Sequence, residues 1–174
     1  MKISKKVVAF TIIAASLSCP SIANTEAKPV ENQLTLDLAM EAATEAIKFC
    51  SAQGWNVSAS VVDSAGNIKV QAKGDNSTIH TKDTSFRKAY TQVSMGPIFG
   101  FDALSVWVDK LKGNPNAVGL ASIPNIIVLP GAVAIKIHDQ TVAAIGVGGA
   151  PGGDKDEACA AKGLEKIKDR LAQR

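Results

Sequence analysis

The sequence has few of the side chains that build metal centres and nucleophilic sites. Its 174 residues include three cysteines, two histidines and one tyrosine, and aromatic residues make up only 5% of the chain. There is no Cys-x-x-Cys pair and no cluster of cysteine with histidine, so the usual zinc and thioredoxin-like motifs are excluded. A Gly-x-Ser-x-Gly elbow and a His-Glu-x-x-His pair are also missing. The composition therefore gives catalysis little support and leaves open whether the protein is an enzyme.

No apolar run is long enough to cross a membrane, and the best candidate lies at the amino terminus. A basic start precedes an apolar-biased stretch, residues 7–17, which is shorter than the roughly 20 residues that a spanning helix needs. Small residues then suit cleavage after Ala23. We predict a signal peptide (1–23), a flexible lead-in (24–34) and a single domain (35–174). The mature protein is expected to be periplasmic or secreted, without membrane insertion.

Excess positive charge is absent once the predicted signal peptide is removed. The full chain carries 19 lysine and arginine residues against 16 aspartate and glutamate residues. Residues 1–23 hold three of the lysines and no acidic residue, so the mature chain has no net charge. A neutral chain generates no field that attracts nucleic acid or anionic lipid, and we expect no nucleic-acid partner.

Two cysteines, Cys50 and Cys159, remain in the predicted mature chain. Disulfides persist in exported proteins, so a structural bridge is one interpretation. Two buried free thiols are the other, because an isolated cysteine packs like a small apolar side chain. The residue types alone leave both alternatives open.

The first half of the domain changes from helical to strand periodicity. Apolar residues at spacings of three and four predict a helix that begins after Thr35 and ends at Gly54. Strict alternation then predicts two strands around a turn at residues 63–67, which together form a β-hairpin. Ser58 and Ser60 fall on the polar side of the first strand, which is therefore expected to be half-buried.

The second half adds helices, a second hairpin and a final helix. A second helix is predicted from about Ile79 until Gly96 and Pro97 end it, and a shorter helix follows. A short apolar run at 126–129 precedes a hairpin that turns at "HDQ", and a last helix begins near Asp154. Tight turns inside each strand pair demand antiparallel pairing, so the fold class is α+β.

The stretch GVGGAPGGDKDEA, residues 146–158, has the glycine content of a phosphate-binding loop without its chemistry. Asp154 occupies the position of the P-loop lysine, and Pro151 occupies the third glycine position of the dinucleotide fingerprint. Glycines instead predict a tight exit from a strand, with Asp154 capping an acidic helix start. Gly148 and Gly149 lack side chains, so a flat ligand could approach their backbone closely.

Four segments resemble the GlcG/HbpS family, whose fold also forms the C-terminal domain of PduO-type proteins. They are VSASVVDSAGNI (57–68), FRKAYT (86–91), LPGAVAIKI (129–137) and VAAIGVGGAPGGDKDEAC (142–159), which appear in the family's order and spacing. The resemblance covers roughly residues 34–167. It implies a five-stranded antiparallel sheet with flanking helices in a profilin-like arrangement, which assembles into homo-oligomers. For exported members it implies binding of haem or a related planar tetrapyrrole.

The resemblance also bears on the cysteines. It implies that the first and last helices lie antiparallel on one face of the sheet. The end of the first helix, with Cys50, then meets the start of the last helix, with Cys159, and we predict a disulfide between them. Closing a loop of about 110 residues could stabilise the fold by up to roughly 4–5 kcal/mol.

His80 and its neighbours on the second predicted helix form the best candidate binding site in the sequence for an anionic planar ligand. Haem iron is usually held by histidine, methionine, cysteine or tyrosine, and basic groups suit the propionates. Helical spacings of three and four bring Thr84, Arg87 and Lys88 onto the same face as His80. We predict these four residues, with the two loop glycines, to form a shallow haem site at a subunit interface, with His80 on the iron.

Other interpretations compete with this hypothesis. His80 could be a solvated helix end, with Arg87 paired to Asp83. His138, at a hairpin tip, is expected to be merely exposed. In place of a haem-binding protein, the chain could be a small-molecule (organic-acid) enzyme or handling protein that acts at the Gly148 and Gly149 backbone. It could also be a structural oligomeric partner of a membrane sensor.

Overall fold

The computed structural model describes residues 32–171 and residue 173. The predicted signal peptide, residues 1–23, and most of the predicted lead-in therefore lie outside the described residues. In chain order the elements are α1 (Leu36–Ala52), β1 (Ser58–Asp63), β2 (Ile68–Lys73), α2 (Thr81–Phe99), α3 (Leu104–Lys110), α4 (Ala117–Ala121), β3 (Ala132–Ile137), β4 (Gln140–Gly148) and α5 (Gly153–Leu171). Among these helices, none combines the length and apolar character needed to cross a membrane.

The sheet has the order β2-β1-β4-β3, with every neighbouring pair antiparallel. The α+β prediction is confirmed, but the predicted fifth strand is wrong. The run at 126–129 forms no strand, because side chains of α2 bind its backbone: Arg87 donates to the Ile126 carbonyl at 2.6 Å, and the Ile127 N–H donates to Thr91. On the outer side of β3, the only further pairing in the described chain is an isolated β-bridge between Ala103 and Val133.

Helices cover both faces of the sheet. Helix α2 packs on one face, and α1 with α5 packs on the other. In β1, Ala59 belongs to the core beneath α1 and α5, whereas Ser58 and Ser60 lie under α2. Both serines are fully buried, so the expectation of a half-buried strand is wrong. Hydrogen bonds to Thr81 (2.7 Å) and Ser85 (2.8 Å) satisfy their hydroxyls in the interior.

Helix α2 continues beyond its predicted end. Pro97 lies inside its last turn, and the helix ends at Gly100, whose φ of 66° gives a left-handed cap. The Gly100 N–H still donates to the Gly96 carbonyl at 2.8 Å. Pro97 has no N–H to donate to the preceding turn, and the N–H groups of Gly100 and Phe101 close the last turn by donating to the Gly96 carbonyl.

The disulfide between Cys50 and Cys159 is present, as predicted. It joins residues 109 apart in sequence, with a Cα–Cα distance of 5.7 Å, and both cysteines are fully buried. Helices α1 and α5 pack against each other along this face. Gly163 permits their close approach, because a Cβ there would lie 2.4 Å from the Ala42 carbonyl oxygen.

Candidate functional site

His80 is exposed at the N-terminal cap of α2, where the sequence places the start of this helix. Its Nδ1 lies 3.2 Å from the Thr78 hydroxyl. The Thr84 hydroxyl donates to backbone carbonyls of the preceding turn, those of His80 (3.2 Å) and Thr81 (3.1 Å). Thr84 thus lies one turn beyond His80, but its hydroxyl proton is directed to the helix backbone.

The two cations of α2 that were predicted to bind the ligand, Arg87 and Lys88, have different environments. Arg87 is half-buried and donates to the Ile126 carbonyl. Lys88 is only 3% exposed, and its Nζ lies 2.6 Å from Asp156 Oδ2. The expectation that Lys88 shares an exposed face with His80 is therefore corrected. Eight helical residues rotate about 80° beyond two full turns, which is enough to turn Lys88 inward.

Lys88 and Asp156 form a buried ion pair between α2 and α5. Their side chains are 4% and 5% exposed, and Asp156 Oδ1 also accepts the Ala150 N–H at 2.9 Å. Burial raises the pKa of Asp156, whereas Lys88 and the backbone N–H groups of Ala150 and Gly149 act to lower it. Sequence reasoning identified an acidic helix start but missed this role, because the partner lies 68 residues away.

The neighbouring acid, Glu157, forms hydrogen bonds to the first turn of α3 and to the residue before β3. Its carboxylate accepts the Ser105 N–H at 2.9 Å, the Ser105 hydroxyl, and the Gly131 N–H at 3.2 Å. Ser105 lies in the first turn of α3, and Gly131 directly precedes β3. Glu157 thereby ties α5 to the start of α3 and to the start of the edge strand β3.

The loop glycines are used for packing. A Cβ on Gly148 would lie 2.3 Å from the Thr84 hydroxyl and 3.0 Å from the Ser85 backbone nitrogen. Gly149 is exposed, with a φ of 127°, and a Cβ there would lie 2.7 Å from the Asn56 carbonyl oxygen. The missing side chains let α2 approach the end of β4. Gly148 is consequently buried, and α2 covers it.

Replacing Gly148 with alanine is expected to lower the free energy of unfolding by about 1–3 kcal/mol, because backbone atoms of α2 cannot move away easily. Urea unfolding would measure this change. Gly119→Ala is the matched control, since that glycine is in α4 and a Cβ on it meets nothing within 4 Å. The control should be neutral or stabilising. Equal stability of the two variants would contradict the packing role.

A groove of about 800 Å³ lies beside β3, between α5 and the residues that precede α3. We call it the β3 groove. Its apolar lining consists of Ala103, Val133, Ala134, Ala161, Leu164 and Leu171. Its polar lining consists of Asp102, Lys136, His138, Glu165 and Lys168. None of the predicted site residues on α2 or in the glycine loop lines this groove.

His138, expected only to be exposed, is exposed and also lines the β3 groove. It lies in the tight turn between β3 and β4 with a φ of 52°, a left-handed conformation that few side chains adopt. The sequence identified the turn, but the groove depends on α5 and on the segment before α3. Both are distant from His138 along the chain.

Two lysines and two acidic residues line the β3 groove, and each acid has a lysine partner. Lys136 pairs with Asp102 at 3.2 Å, and Glu165 pairs with Lys162 at 2.7 Å. The hydrogen bond and charge of Lys162 lower the pKa of Glu165, with a smaller contribution from Lys168. Within the described part of the chain, neither the Lys168 side chain nor the His138 side chain has a hydrogen bond or an ion pair. An anionic group is therefore the complementary ligand chemistry.

The arrangement suits a flat, largely apolar molecule that carries anionic groups. An apolar floor can accept its body, lysines can pair with its acids, and an imidazole can coordinate a metal that it contains. The volume lies within the range of small-molecule and cofactor sites, roughly 300–1,000 Å³. The fold and the groove thus define a class: α+β domains with one antiparallel sheet, helices on both faces and an amphipathic groove at the sheet edge.

The chain belongs to the HbpS-like family, described as haem degrading protein HbpS-like, which it matches over residues 34–165. This confirms the family resemblance. Its structure is similar to that of HbpS, with 34% identity, a TM-score of 0.70, and coverage of 79% of this chain and 92% of the other. A double mutant of HbpS from Streptomyces reticuli gives 33% identity, a TM-score of 0.69, and coverage of 88% and 97%.

A more distant structure, a complex of PduOC with haem, shares the fold at 18% identity, with a TM-score of 0.69 and coverage of 78% and 95%. Among curated proteins, no sequence relative was found. The described residues contain no group of three or more histidine, cysteine or acidic side chains placed to hold a metal ion by themselves.

Proposed function

We propose that this protein binds haem or a related planar tetrapyrrole in the β3 groove, with His138 as the iron ligand. The observation that carries the proposal is the combination of an imidazole, an apolar floor and a lysine without an ion pair among the described residues, Lys168, in one groove. Membership of the HbpS-like family supports the ligand class. The donor set fits haem, because imidazole is a common axial ligand and lysines complement propionates.

The sequence-derived ligand, His80, is the alternative within the same function. Its exposure at the start of α2, with Thr84 and Arg87 further along that helix, is compatible with ligand binding at the surface. Lys88 is left out of this alternative site because its charge is buried against Asp156. Since α2 covers Gly148, the geometry does not favour small-molecule chemistry at the Gly148 and Gly149 backbone.

Export and assembly are parts of the same proposal. A disulfide persists in the periplasm or outside the cell, which supports export directed by residues 1–23. Exposed apolar side chains at the end of α2 and on α3, namely Ile98, Phe99 and Val106, support assembly into a homo-oligomer.

Titration of the purified protein with haemin tests the ligand and its position. The wild type should give a saturable shift of the Soret band. His138→Asn should remove the shift or weaken binding by about tenfold or more, equivalent to 1.4 kcal/mol. Asparagine is chosen because it tolerates the left-handed backbone at this turn, so the hairpin should remain folded.

His80→Ala is the matched control and should bind haemin like the wild type. Loss of the shift in His80→Ala with retention in His138→Asn would move the iron ligand to α2. Absence of any shift in the wild type would contradict haem binding altogether.

A further inference from the structure

A second groove, of about 650 Å³, lies on the other side of one ion pair of the β3 groove. We call it the hairpin groove, since the end of α2 and the β3–β4 hairpin line it: Gly96, Pro97, Phe101, Asp139, Gln140 and Thr141. Asp102 and Lys136 line both grooves. Their side chains therefore form the partition between the two spaces.

This partition is held by a weak, exposed contact. Lys136 Nζ lies 3.3 Å and 3.2 Å from the two carboxylate oxygens of Asp102, and the side chains are 32% and 65% exposed. Exposed ion pairs of this kind stabilise a fold by about 0–1 kcal/mol. Lys136 can therefore change partners at little expense in stability, unlike the buried Lys88.

The two grooves differ in the charged residues that they add to the shared pair. Beyond the shared pair, the β3 groove is lined by Lys168 and by Glu165, whose carboxylate is already paired with Lys162. In the hairpin groove, the other ionisable residues of the lining are Asp102 and Asp139, and both are acidic. A carboxylate therefore meets less repulsion when it approaches Lys136 from the β3 groove, beside Lys168, than when it approaches from the hairpin groove, beside Asp139.

We propose that Lys136 selects ligands that carry a carboxylate, by exchanging the carboxylate of Asp102 for that of the ligand. The released Asp102 side chain stays hydrated, and separation of the pair joins the two grooves into one longer trough along β3. Lys136 is then the specificity-determining residue of the proposed site. The inference rests on the β3 groove being the ligand site, but it does not require that iron be coordinated.

Metal-free protoporphyrin IX and its dimethyl ester test this role, because they differ only in their free carboxylates. Fluorescence titration of the wild type should show tighter binding of the free acid by about tenfold, or 1.4 kcal/mol. Lys136→Met should bring the ratio of the two affinities close to one, because binding of the acid weakens more than binding of the ester. Asp102→Asn should tighten binding of the acid a few-fold and leave the ester unaffected.

Lys112→Met is the matched control, since Lys112 is an exposed lysine paired with Asp109 away from both grooves. It should keep the full preference for the acid. Retention of the preference in Lys136→Met, or its loss only in Lys168→Met, would overturn the assignment to Lys136. Weaker binding of the acid by Asp102→Asn would also overturn it.

The two proposals fail in distinguishable ways. Selective binding of the metal-free acid without any haemin Soret shift would contradict iron ligation and leave the role of Lys136 standing. A Soret shift that depends on His138, with equal affinity for acid and ester, would do the reverse. Absence of binding by both porphyrins would overturn the role of Lys136 together with the proposed site.

Discussion

Replacement of Lys88 with methionine is expected to lower the free energy of unfolding by about 3–5 kcal/mol. The substitution removes one partner of a buried ion pair and leaves the carboxylate of Asp156 in the interior without its counter-charge. Methionine preserves most of the apolar length of lysine, so the change in packing is small. Chemical denaturation at neutral pH, followed by circular dichroism, would give the difference.

The loss of unfolding free energy in Lys88→Met should depend on pH in a defined direction. Burial already raises the pKa of Asp156 and Lys88 opposes it, so removal of Lys88 should raise that pKa further. Between the unfolded and folded pKa values, the folded state binds more protons than the unfolded state, and stability therefore falls as pH rises. The variant should be closest to the wild type in mild acid and furthest from it at neutral pH.

Two further variants separate the effect of the buried ion pair from the effect of removing a lysine from α2. Lys82→Met removes an exposed lysine from the same helix and should change stability by less than about 0.5 kcal/mol. Lys88→Met combined with Asp156→Asn removes both charges and should recover part of the loss. If Lys88→Met unfolded like Lys82→Met, or if its deficit were independent of pH, the role assigned to this pair would be wrong.

Local periodicity predicted most of the fold because each helix and hairpin is encoded over a short stretch. The count of five strands, which the family resemblance implied, was wrong, and the apolar run at residues 126–129 forms no strand although it has the composition of one. Whether such a run joins a sheet depends on what binds its backbone. Here Arg87 and Thr91, more than 30 residues earlier, take up the polar groups of Ile126 and Ile127.

The candidate site was less predictable for the same physical reason. Helical spacing indicates which side chains are neighbours along a helix, but it does not indicate which of them turn toward the sheet. Lys88 faces Asp156, a residue whose proximity depends on how α5 packs. The groove around His138 is likewise formed by α5 and the segment before α3. The sequence pattern of the hairpin does not predict that these two segments pack beside it.

Loss of the Cys50–Cys159 bridge is expected to lower the free energy of unfolding by about 4 kcal/mol. The bridge joins residues 109 apart, and a loop of about 100 residues restricts the unfolded chain by roughly 4.7 kcal/mol in the chain-entropy description. Native disulfides of small secreted domains typically contribute about 2–5 kcal/mol when measured by removal. The variant to use is Cys50→Ala with Cys159→Ala, because both positions are buried.

Guanidinium unfolding of the oxidised wild type, the reduced wild type and the double variant measures this effect and supplies its own control. The reduced wild type and the double variant should unfold together, well below the oxidised protein, because both lack the same constraint. Intact mass under non-reducing conditions should show no free thiol at Cys50 or Cys159 in the oxidised protein. Two free thiols, or coincident unfolding of all three samples, would contradict the stabilising role. Haemin binding by the folded double variant should persist, since neither cysteine lines the β3 groove.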